Sequence, residues 1–213
     1  MAITHIVFDI DGTLLDTEAA VTLSLQETME ELLGHSLSLA ELRFTFSMPA
    51  KAALRVLGFP DVEAAYRRWS GKCLGYLGES CLFDGIPHLL ESLIRRGYAL
   101  GIVSSQTRSE YQLTFLPMGL GDLFGTVILA DDTREHKPNP EPMLLYLERS
   151  GAKGAETLYV GDSPGDMSCA QEAGASGALA CWCANPAEYP GVPRLERPGM
   201  LLDLLEEMER SKI

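Results

Sequence analysis

Two aspartates, Asp9 and Asp11, follow a short apolar segment near the start of the sequence, Ile6-Val7-Phe8. The segment is short and β-branched, which predicts a buried strand. Residues two apart in a strand point to the same side, so both carboxylates can face one common space. Close carboxylates repel each other and need a cation, a shared proton or solvent between them. A solvated turn explains the same residues equally well, because Asp-Gly is a common turn dipeptide.

The elements that would position this pair are strands alternating with helices, which run from residue 84 to the end of the sequence. Alternation of this kind predicts a parallel sheet with helices on both faces. A proline-rich segment at 184–198 is predicted as loop, and residues 201–210 as a C-terminal helix. After the first strand, the predicted strands are residues 98–103, 126–129, 157–160 and 176–182.

The segment between the first strand and residue 84 is different, because its apolar residues follow helical spacing. It contains no convincing strand. The sequence therefore predicts an α/β protein with a Rossmann-like three-layer core around a parallel sheet, interrupted by an inserted all-helical cap. In this interpretation residues 1–15 and 83–213 form the core, and residues 16–82 form the cap.

Polar residues follow each of the predicted strands up to residue 160. In an open parallel sheet ligands bind beyond the carboxyl ends of the strands, so these residues are expected to meet at one edge. Each alone could be a helix cap or a solvated charge, but their convergence is much less expected by chance. The residues are Asp9 and Asp11, then Ser104 and Ser105, then Asp131, Asp132 and Lys137, and finally Asp162 and Asp166.

These side-chain types suit the transfer of a phosphoryl group. Carboxylates from two strands make a hard oxygen site of the kind that Mg²⁺ prefers. A lysine and a hydroxyl can neutralise and position the phosphoryl group. One aspartate can act as a nucleophile, and a second carboxyl group can donate and later accept a proton. Phosphoryl transfer consists largely of positioning and charge stabilisation, and this set of residues supplies both.

The sequence resembles the haloacid dehalogenase-like (HAD) hydrolase superfamily over nearly its whole length. The helical insertion after the first motif is similar to the small cap of the branch that contains phosphoglycolate phosphatase and β-phosphoglucomutase. Four motifs in this order carry the resemblance: Phe-Asp9-Ile-Asp11-Gly-Thr-Leu, Ile-Val-Ser104-Ser, Lys137-Pro-Asn-Pro and Gly-Asp162-Ser-Pro-Gly-Asp166.

The resemblance implies a Mg²⁺-dependent phosphatase acting on a small phosphorylated metabolite, with a role for each motif residue. Asp9 would be the nucleophile, and Asp11 the general acid and base, with its backbone carbonyl on the metal. Asp166 would bind the metal through water or support the site. The implied phosphate-binding residues are Ser104, Ser105, Lys137 and Gly12, and the implied metal site comprises Asp9, Asp11, Asp162 and Asp166.

Departures from the family pattern bear on the substrate. A carboxylate at Asp11 argues for phosphate rather than carbon–halogen chemistry, because the dehalogenases lack one there. Residues 18–25 contain no histidine, which disfavours a sugar phosphomutase, the main alternative. A non-catalytic binding protein on the same fold is the other alternative. In the cap loop Phe46–Pro49, Ser47 stands where glycine is usual in the family, so it is open whether this loop contacts the substrate. It is equally open whether Arg108 or His136 contacts the substrate.

Composition limits the partners. The chain of 213 residues has 30 acidic and 17 basic residues, a formal net charge of −13, which argues against a nucleic-acid or anionic-membrane binder. The sequence shows no basic segment followed by an apolar one, the pattern that would suggest export. No apolar run is long enough to span a bilayer. We expect a cytoplasmic monomer or small homo-oligomer. The five cysteines are predicted to be free, buried thiols in a reducing compartment.

Overall fold

The computed structural model describes residues 2–47, 50–77, 80–183 and 186–210. The chain divides into two compact units. The first comprises Met1–Leu15 and Leu82–Ile213, and the second comprises Asp16–Cys81. The strands are β1 (His5–Phe8), β2 (Leu15–Asp16), β3 (Cys81–Leu82), β4 (Ala99–Val103), β5 (Thr126–Ile128), β6 (Thr157–Gly161), β7 (Ser176–Ala180) and β8 (Arg194–Leu195).

Helices separate most of these strands along the chain. Among the residues that the structure describes, no helix is long and apolar enough to cross a membrane. The α-helices are α1 (Glu18–Leu33), α2 (Leu39–Leu42), α3 (Ala50–Val56), α4 (Val62–Leu77), α5 (Ile86–Arg95), α6 (Arg108–Thr114), α7 (Glu141–Ser150), α8 (Pro164–Glu172) and α9 (Met200–Arg210).

A parallel sheet of six described strands, in the order β5-β4-β1-β6-β7-β8, forms the centre of the first unit. β1 lies between β4 and β6, and Phe8 at its end is opposite Ile102 and Val160. Strands that run in parallel and in register end at the same edge. The residues that follow β1, β4 and β6 therefore leave the sheet close together.

The two faces of the sheet pack against different sets of helices. Ile6 and Phe8 belong to a buried cluster that includes residues of α5 and α9, whereas Val7 lies in a second cluster with residues of α7 and α8. This division follows from the two-residue period of a strand. A run that is apolar at every position is thus buried on both sides, and the predicted three-layer α/β core is confirmed.

Three strands of two residues, β2, β3 and β8, were not predicted. β8 lies in the proline-rich segment expected to be loop, and pairs in parallel with β7 at the edge of the sheet. β3 lies at the end of the segment in which no strand was expected, and forms a separate two-stranded sheet with β2. A strand of two residues is too short to produce an alternating or continuous apolar pattern, which explains the three omissions.

The second unit is built from α1 to α4. Its core contains Leu25 and Met29 from α1 and Trp69 from α4. The indole Nε1 of Trp69 donates to the hydroxyl of Ser24 at 3.0 Å, so this buried polar atom has a partner. The apolar faces of the helices therefore account for the packing of this unit.

All five cysteines are thiols rather than disulfides, but they are not all buried as predicted. Cys169, Cys181 and Cys183 are buried, whereas Cys73 is half-buried and Cys81 is exposed. The prediction of buried thiols was wrong for Cys81, because this residue lies in the short strand β3 rather than on the inner face of a helix.

Candidate active site

Asp9 occupies the first position after β1. Its backbone N–H donates to the carbonyl of Val160 on β6 at 2.9 Å, which continues the ladder one residue beyond the strand. The residue is only 6% exposed. Burial raises the pKa of the Asp9 carboxyl to about 7, against the opposing effect of Lys137. The carboxyl group therefore lies in a largely dry position at the sheet edge.

Lys137 provides the positive charge of this site. Its Nζ lies 3.0 Å from Asp9 Oδ1 and 2.6 Å from Asp166 Oδ1. Its side chain is 9% exposed, and burial disfavours its charged form. The negative charges of Asp166 and Asp9 outweigh burial and raise the pKa of Lys137 above its usual value. The ammonium group is thus held in its charged form between two carboxylates.

Asp166 is placed by the start of α8. Ser163 and Asp166 form a capping box, in which Asp166 Oδ2 accepts from the N–H of Ser163 at 2.9 Å and from its hydroxyl at 2.6 Å. Burial opposes ionisation of Asp166, but Lys137 and the Ser163 bonds lower its pKa below the usual range. Asp166 is therefore a fully buried, ionised carboxylate with both oxygens bonded.

Asp162 directly follows β6 and is also buried. One oxygen each from Asp9, Asp162 and Asp166 lie within 4.8 Å of one another, a grouping that can hold a metal ion. Burial, together with the charges of Asp166 and Asp9, raises the pKa of Asp162 well above its usual value. Lys137 therefore supplies one positive charge against these three carboxylates. When all three are ionised, two negative charges remain to be balanced.

Tyr159 on β6 belongs to this cluster, although no motif indicated it. Its hydroxyl donates to the carbonyl of Val103 at 2.6 Å, and Lys137 Nζ donates to the same hydroxyl at 3.2 Å. The hydroxyl also lies 3.1 Å from Asp166 Oδ1. Burial and the neighbouring carboxylates raise the pKa of Tyr159 well above its usual value, so its phenol is a neutral hydrogen-bonding group. Tyr159 thereby ties Lys137 to the end of β4.

Asp11 and Gly12 lie in the turn that follows Asp9. Gly12 has a φ of 74°, a conformation that glycine adopts without strain. Its N–H donates to the carbonyl of Leu15 at 2.9 Å within this turn, and the predicted role of Gly12 in phosphate binding stays a prediction. Asp11 Oδ1 accepts from the side-chain amide of Gln106 at 3.0 Å. Gln106 is the second residue near the site that sequence reasoning missed.

Ser104 and Ser105 follow β4 but differ in their surroundings. Ser104 is buried, its N–H donates to the carbonyl of Ile128 on β5 at 3.0 Å, and its Oγ accepts from the N–H of Gln106 at 3.2 Å. Ser105 is exposed. The predicted role of both serines in phosphate binding stays a prediction.

Three further candidates from the sequence are paired with other residues, exposed, or partly outside the described residues. The Arg108 guanidinium is paired with Asp132 at 3.2 Å, and Asp132 also binds Arg149 at 3.0 Å. His136 is exposed. Of the cap loop, Met48 and Pro49 lie outside the described residues.

Trp182 contacts the turn that carries Asp11. Its indole Nε1 donates to the carbonyl of Thr13 at 3.0 Å. Its ring packs against the large core cluster. The hydrogen bond adds a connection between the segment after β7 and the turn that carries Asp11.

Known proteins match this chain over most of its length. A family model described as haloacid dehalogenase-like hydrolase matches residues 6–180. A phosphoglycolate phosphatase of Xanthomonas campestris is 31% identical over 183 residues, covering 83% of this chain and 82% of its own. A pyrophosphatase PpaX of Bacillus cereus is 26% identical over 223 residues, covering 99% of this chain and all of its own.

Solved structures agree with these sequence matches. A structure from Lactobacillus plantarum, described as that of a candidate phosphoglycolate phosphatase, has a TM-score of 0.87 at 30% identity. The alignment covers 96% of this chain and 100% of the other. A haloacid dehalogenase-like family protein of Streptococcus pneumoniae has a TM-score of 0.83 at 21% identity, covering 95% and 98% of the two chains, and shares the fold.

Proposed function

Because the chain belongs to the haloacid dehalogenase-like hydrolase family, we propose that it is a Mg²⁺-dependent phosphatase of a small phosphorylated metabolite. The reaction would proceed through an aspartyl-phosphate on Asp9. The observation that carries this proposal is the buried group of Asp9, Asp162 and Asp166 around Lys137, at the carboxyl edge of the parallel strands.

The donor set fits a divalent cation. Asp9, Asp162 and Asp166 offer hard oxygen ligands. When all three are ionised, Lys137 balances one negative charge, and a cation of charge +2 would balance the other two. Both oxygens of Asp166 already bond to Lys137 and Ser163, so we assign Asp166 a supporting place and Asp9 and Asp162 the main contacts, with the Asp11 carbonyl. When bound, Mg²⁺ would neutralise charge on the phosphoryl oxygens.

The chain's own groups would carry the two half-reactions. In the first, an Asp9 oxygen forms a bond to phosphorus while the bond to the leaving oxygen breaks, and Asp11 gives its proton to that oxygen. In the second, Asp11 takes a proton from water as the water oxygen bonds to phosphorus and the Asp9–phosphorus bond breaks. Inorganic phosphate leaves, and both aspartates return to their starting states.

Lys137 would contribute charge throughout. Its ammonium group, 3.0 Å from Asp9 Oδ1, favours the ionised form of the nucleophile and can stabilise negative charge on the transferring group. Ser104, buried at the end of β4, is the proposed hydroxyl donor. The named activities of the relatives support a small phosphorylated substrate, and phosphoglycolate and pyrophosphate are the first two compounds to test.

The test is phosphate release from a panel of phosphorylated metabolites that includes these two compounds. We expect release that requires Mg²⁺, is abolished by a chelator, and falls by at least about a hundredfold in Asp9→Asn, which removes the nucleophile but keeps the side-chain shape. A surface control, Asp203→Asn on α9, should retain full activity.

The outcomes separate the candidate functions. Release that persists in the chelator or in Asp9→Asn would contradict the proposed chemistry. Absence of release from every member, in protein shown to be folded, would instead favour the sugar phosphomutase or the binding protein, and an assay of sugar-phosphate isomerisation would distinguish those two.

A further inference from the structure

Gln106 uses every polar group that it has. It lies in the segment between β4 and α6 and is 4% exposed. Its backbone N–H donates to Ser104 Oγ at 3.2 Å, and its carbonyl accepts from the N–H of Ala130 at 2.9 Å. Its side-chain Nε2 donates to Asp11 Oδ1 at 3.0 Å, and its Oε1 accepts from the Thr114 hydroxyl at 3.1 Å.

The two side-chain bonds define the orientation of the amide. An ionised carboxylate can only accept, and Oδ1 of an acid protonated on Oδ2 also accepts, so the NH₂ group of Gln106 faces Asp11 in both protonation states. Thr114, the last residue of α6, is fully buried, and its hydroxyl supplies the donor that the amide oxygen needs. The buried side chain of Gln106 and the buried hydroxyl of Thr114 thus together hold one oxygen of Asp11 in place.

We propose that Gln106 is a positioning residue that orients the Asp11 carboxyl group for proton transfer to the leaving oxygen, with Thr114 fixing the amide. The inference rests on the proposed function, which makes Asp11 the general acid. With Oδ1 held by the amide, Oδ2 is the oxygen that gives its proton to the leaving group. An amide neither gives nor takes a proton near neutral pH, so Gln106 acts through Asp11.

Leaving groups distinguish this role from a merely structural one. An alkoxide needs a proton as it departs, whereas p-nitrophenolate is a stable anion that departs without one. The value of kcat/KM covers only the steps up to departure of the leaving group, so the later hydrolysis of the phospho-enzyme does not affect it. A misplaced general acid should therefore lower kcat/KM for alkyl phosphates more than for p-nitrophenyl phosphate.

The experiment compares kcat/KM for p-nitrophenyl phosphate with that for the most active alkyl phosphate of the panel. In Gln106→Met, which keeps the length but loses the amide, we expect a loss of about tenfold to a hundredfold for the alkyl phosphate and less than about threefold for p-nitrophenyl phosphate. Gln106→Glu should show the same selectivity, because it places a carboxylate against Asp11. Thr114→Val should show a smaller change in the same direction.

Thr157→Val is the matched control. Thr157 is also fully buried, and its hydroxyl bonds to the carbonyl of Lys153, away from Asp11. This variant should leave the ratio of the two kcat/KM values unchanged. Thermal unfolding checks the folding of each variant, and Thr114→Val provides the test if the Gln106 variants do not fold.

Equal losses for both substrates in the Gln106 and Thr114 variants would overturn the inference while leaving the phosphatase intact. A wild-type chain that releases no phosphate, or an Asp9→Asn variant that remains active, would instead overturn the proposed function. The two failures are therefore distinguishable in one set of assays.

Discussion

At the scale of single residues, Lys137 decides whether the buried carboxylates are tolerated. Its ammonium group contacts Asp9 and Asp166 with a side chain only 9% exposed. Removal of one partner of a buried ion pair costs more than the pair contributes, because the remaining charges lose both solvent and counter-ion. The stability of the chain and its activity should therefore both depend on this one residue.

Lys137→Ala should lower the free energy of unfolding by about 3–5 kcal/mol at neutral pH in the presence of a chelator, and should abolish phosphate release. Lys153→Ala is the control, because Lys153 is 73% exposed in its surface pair with Glu156 and should change stability by less than about 1 kcal/mol. Urea unfolding of the two variants measures the difference. Similar losses in both would show that the buried cluster does not depend on Lys137.

Residue types allowed part of the site to be predicted. Asp9 and Asp162 directly follow strands, and Lys137 and Asp166 lie in the segments that follow β5 and β6, so the parallel topology leads all four toward one edge. Gln106 and Tyr159 are different, because a glutamine or a tyrosine is common in buried positions and takes its role from what it contacts. The partner of Gln106 lies 95 residues away in the sequence. No local pattern could have revealed that pair.

At the scale of elements, the close approach of β6 and α8 determines where Asp166 lies. A Cβ atom on Gly161, the last residue of β6, would lie 2.6 Å from Asp166 Cβ and Cγ. Real Cβ atoms do not approach so closely, so a side chain at residue 161 would displace Asp166 from its capping box and from Lys137. The glycine is required by this contact and not by an unusual backbone conformation.

Gly161→Ala should reduce phosphate release by at least about tenfold and destabilise the chain by about 1–3 kcal/mol through overpacking. The control is Gly177→Ala on β7, where a Cβ would lie 2.9 Å from Met167 Sδ on the same helix α8. That contact involves the flexible end of a side chain that packs with Leu179 and Cys181, so activity should be retained. Equal activity losses in the two variants would contradict a specific effect on Asp166.

Longer strands could be predicted from the sequence, whereas the shortest strands could not. Strands with three or more buried apolar residues, such as β1 and β6, were recognised because burial on both faces leaves a continuous apolar run. The two-residue strands β3 and β8 have no such run, and β8 follows a proline. Their pairing depends on the neighbouring strand in the folded structure, which a local sequence pattern does not reveal.

At the scale of the whole molecule, a buried acidic cluster in a chain of formal net charge −13 links stability to pH. Burial raises the pKa of Asp9 from its usual 3.8 to about 7, so between these values the folded state binds a proton that the unfolded state has lost. The free energy of unfolding therefore falls as pH rises through this window. Asp162 acts in the same direction, whereas Asp166, with its lowered pKa, contributes stability that is lost only below the window.

We expect the melting temperature of the metal-free chain to fall between pH 5 and 7 more steeply in the wild type than in Asp9→Asn. One such proton changes the free energy of unfolding by on the order of 1 kcal/mol per pH unit. Comparison of the two slopes cancels the surface groups, which both chains share. Mg²⁺ should raise the melting temperature most at the upper end of the window, because a cation binds the ionised carboxylates of the folded state.

The combination of slope and metal effect makes this prediction specific. A cluster that only supports the fold would make the pH slopes differ but would give no stabilisation by Mg²⁺ that depends on Asp9. A cluster that binds the cation should lose most of that stabilisation in Asp9→Asn and keep it in the surface variant Asp203→Asn. Parallel slopes in wild type and Asp9→Asn would show that Asp9 is already ionised throughout the window, with Lys137 alone sufficient to balance its charge.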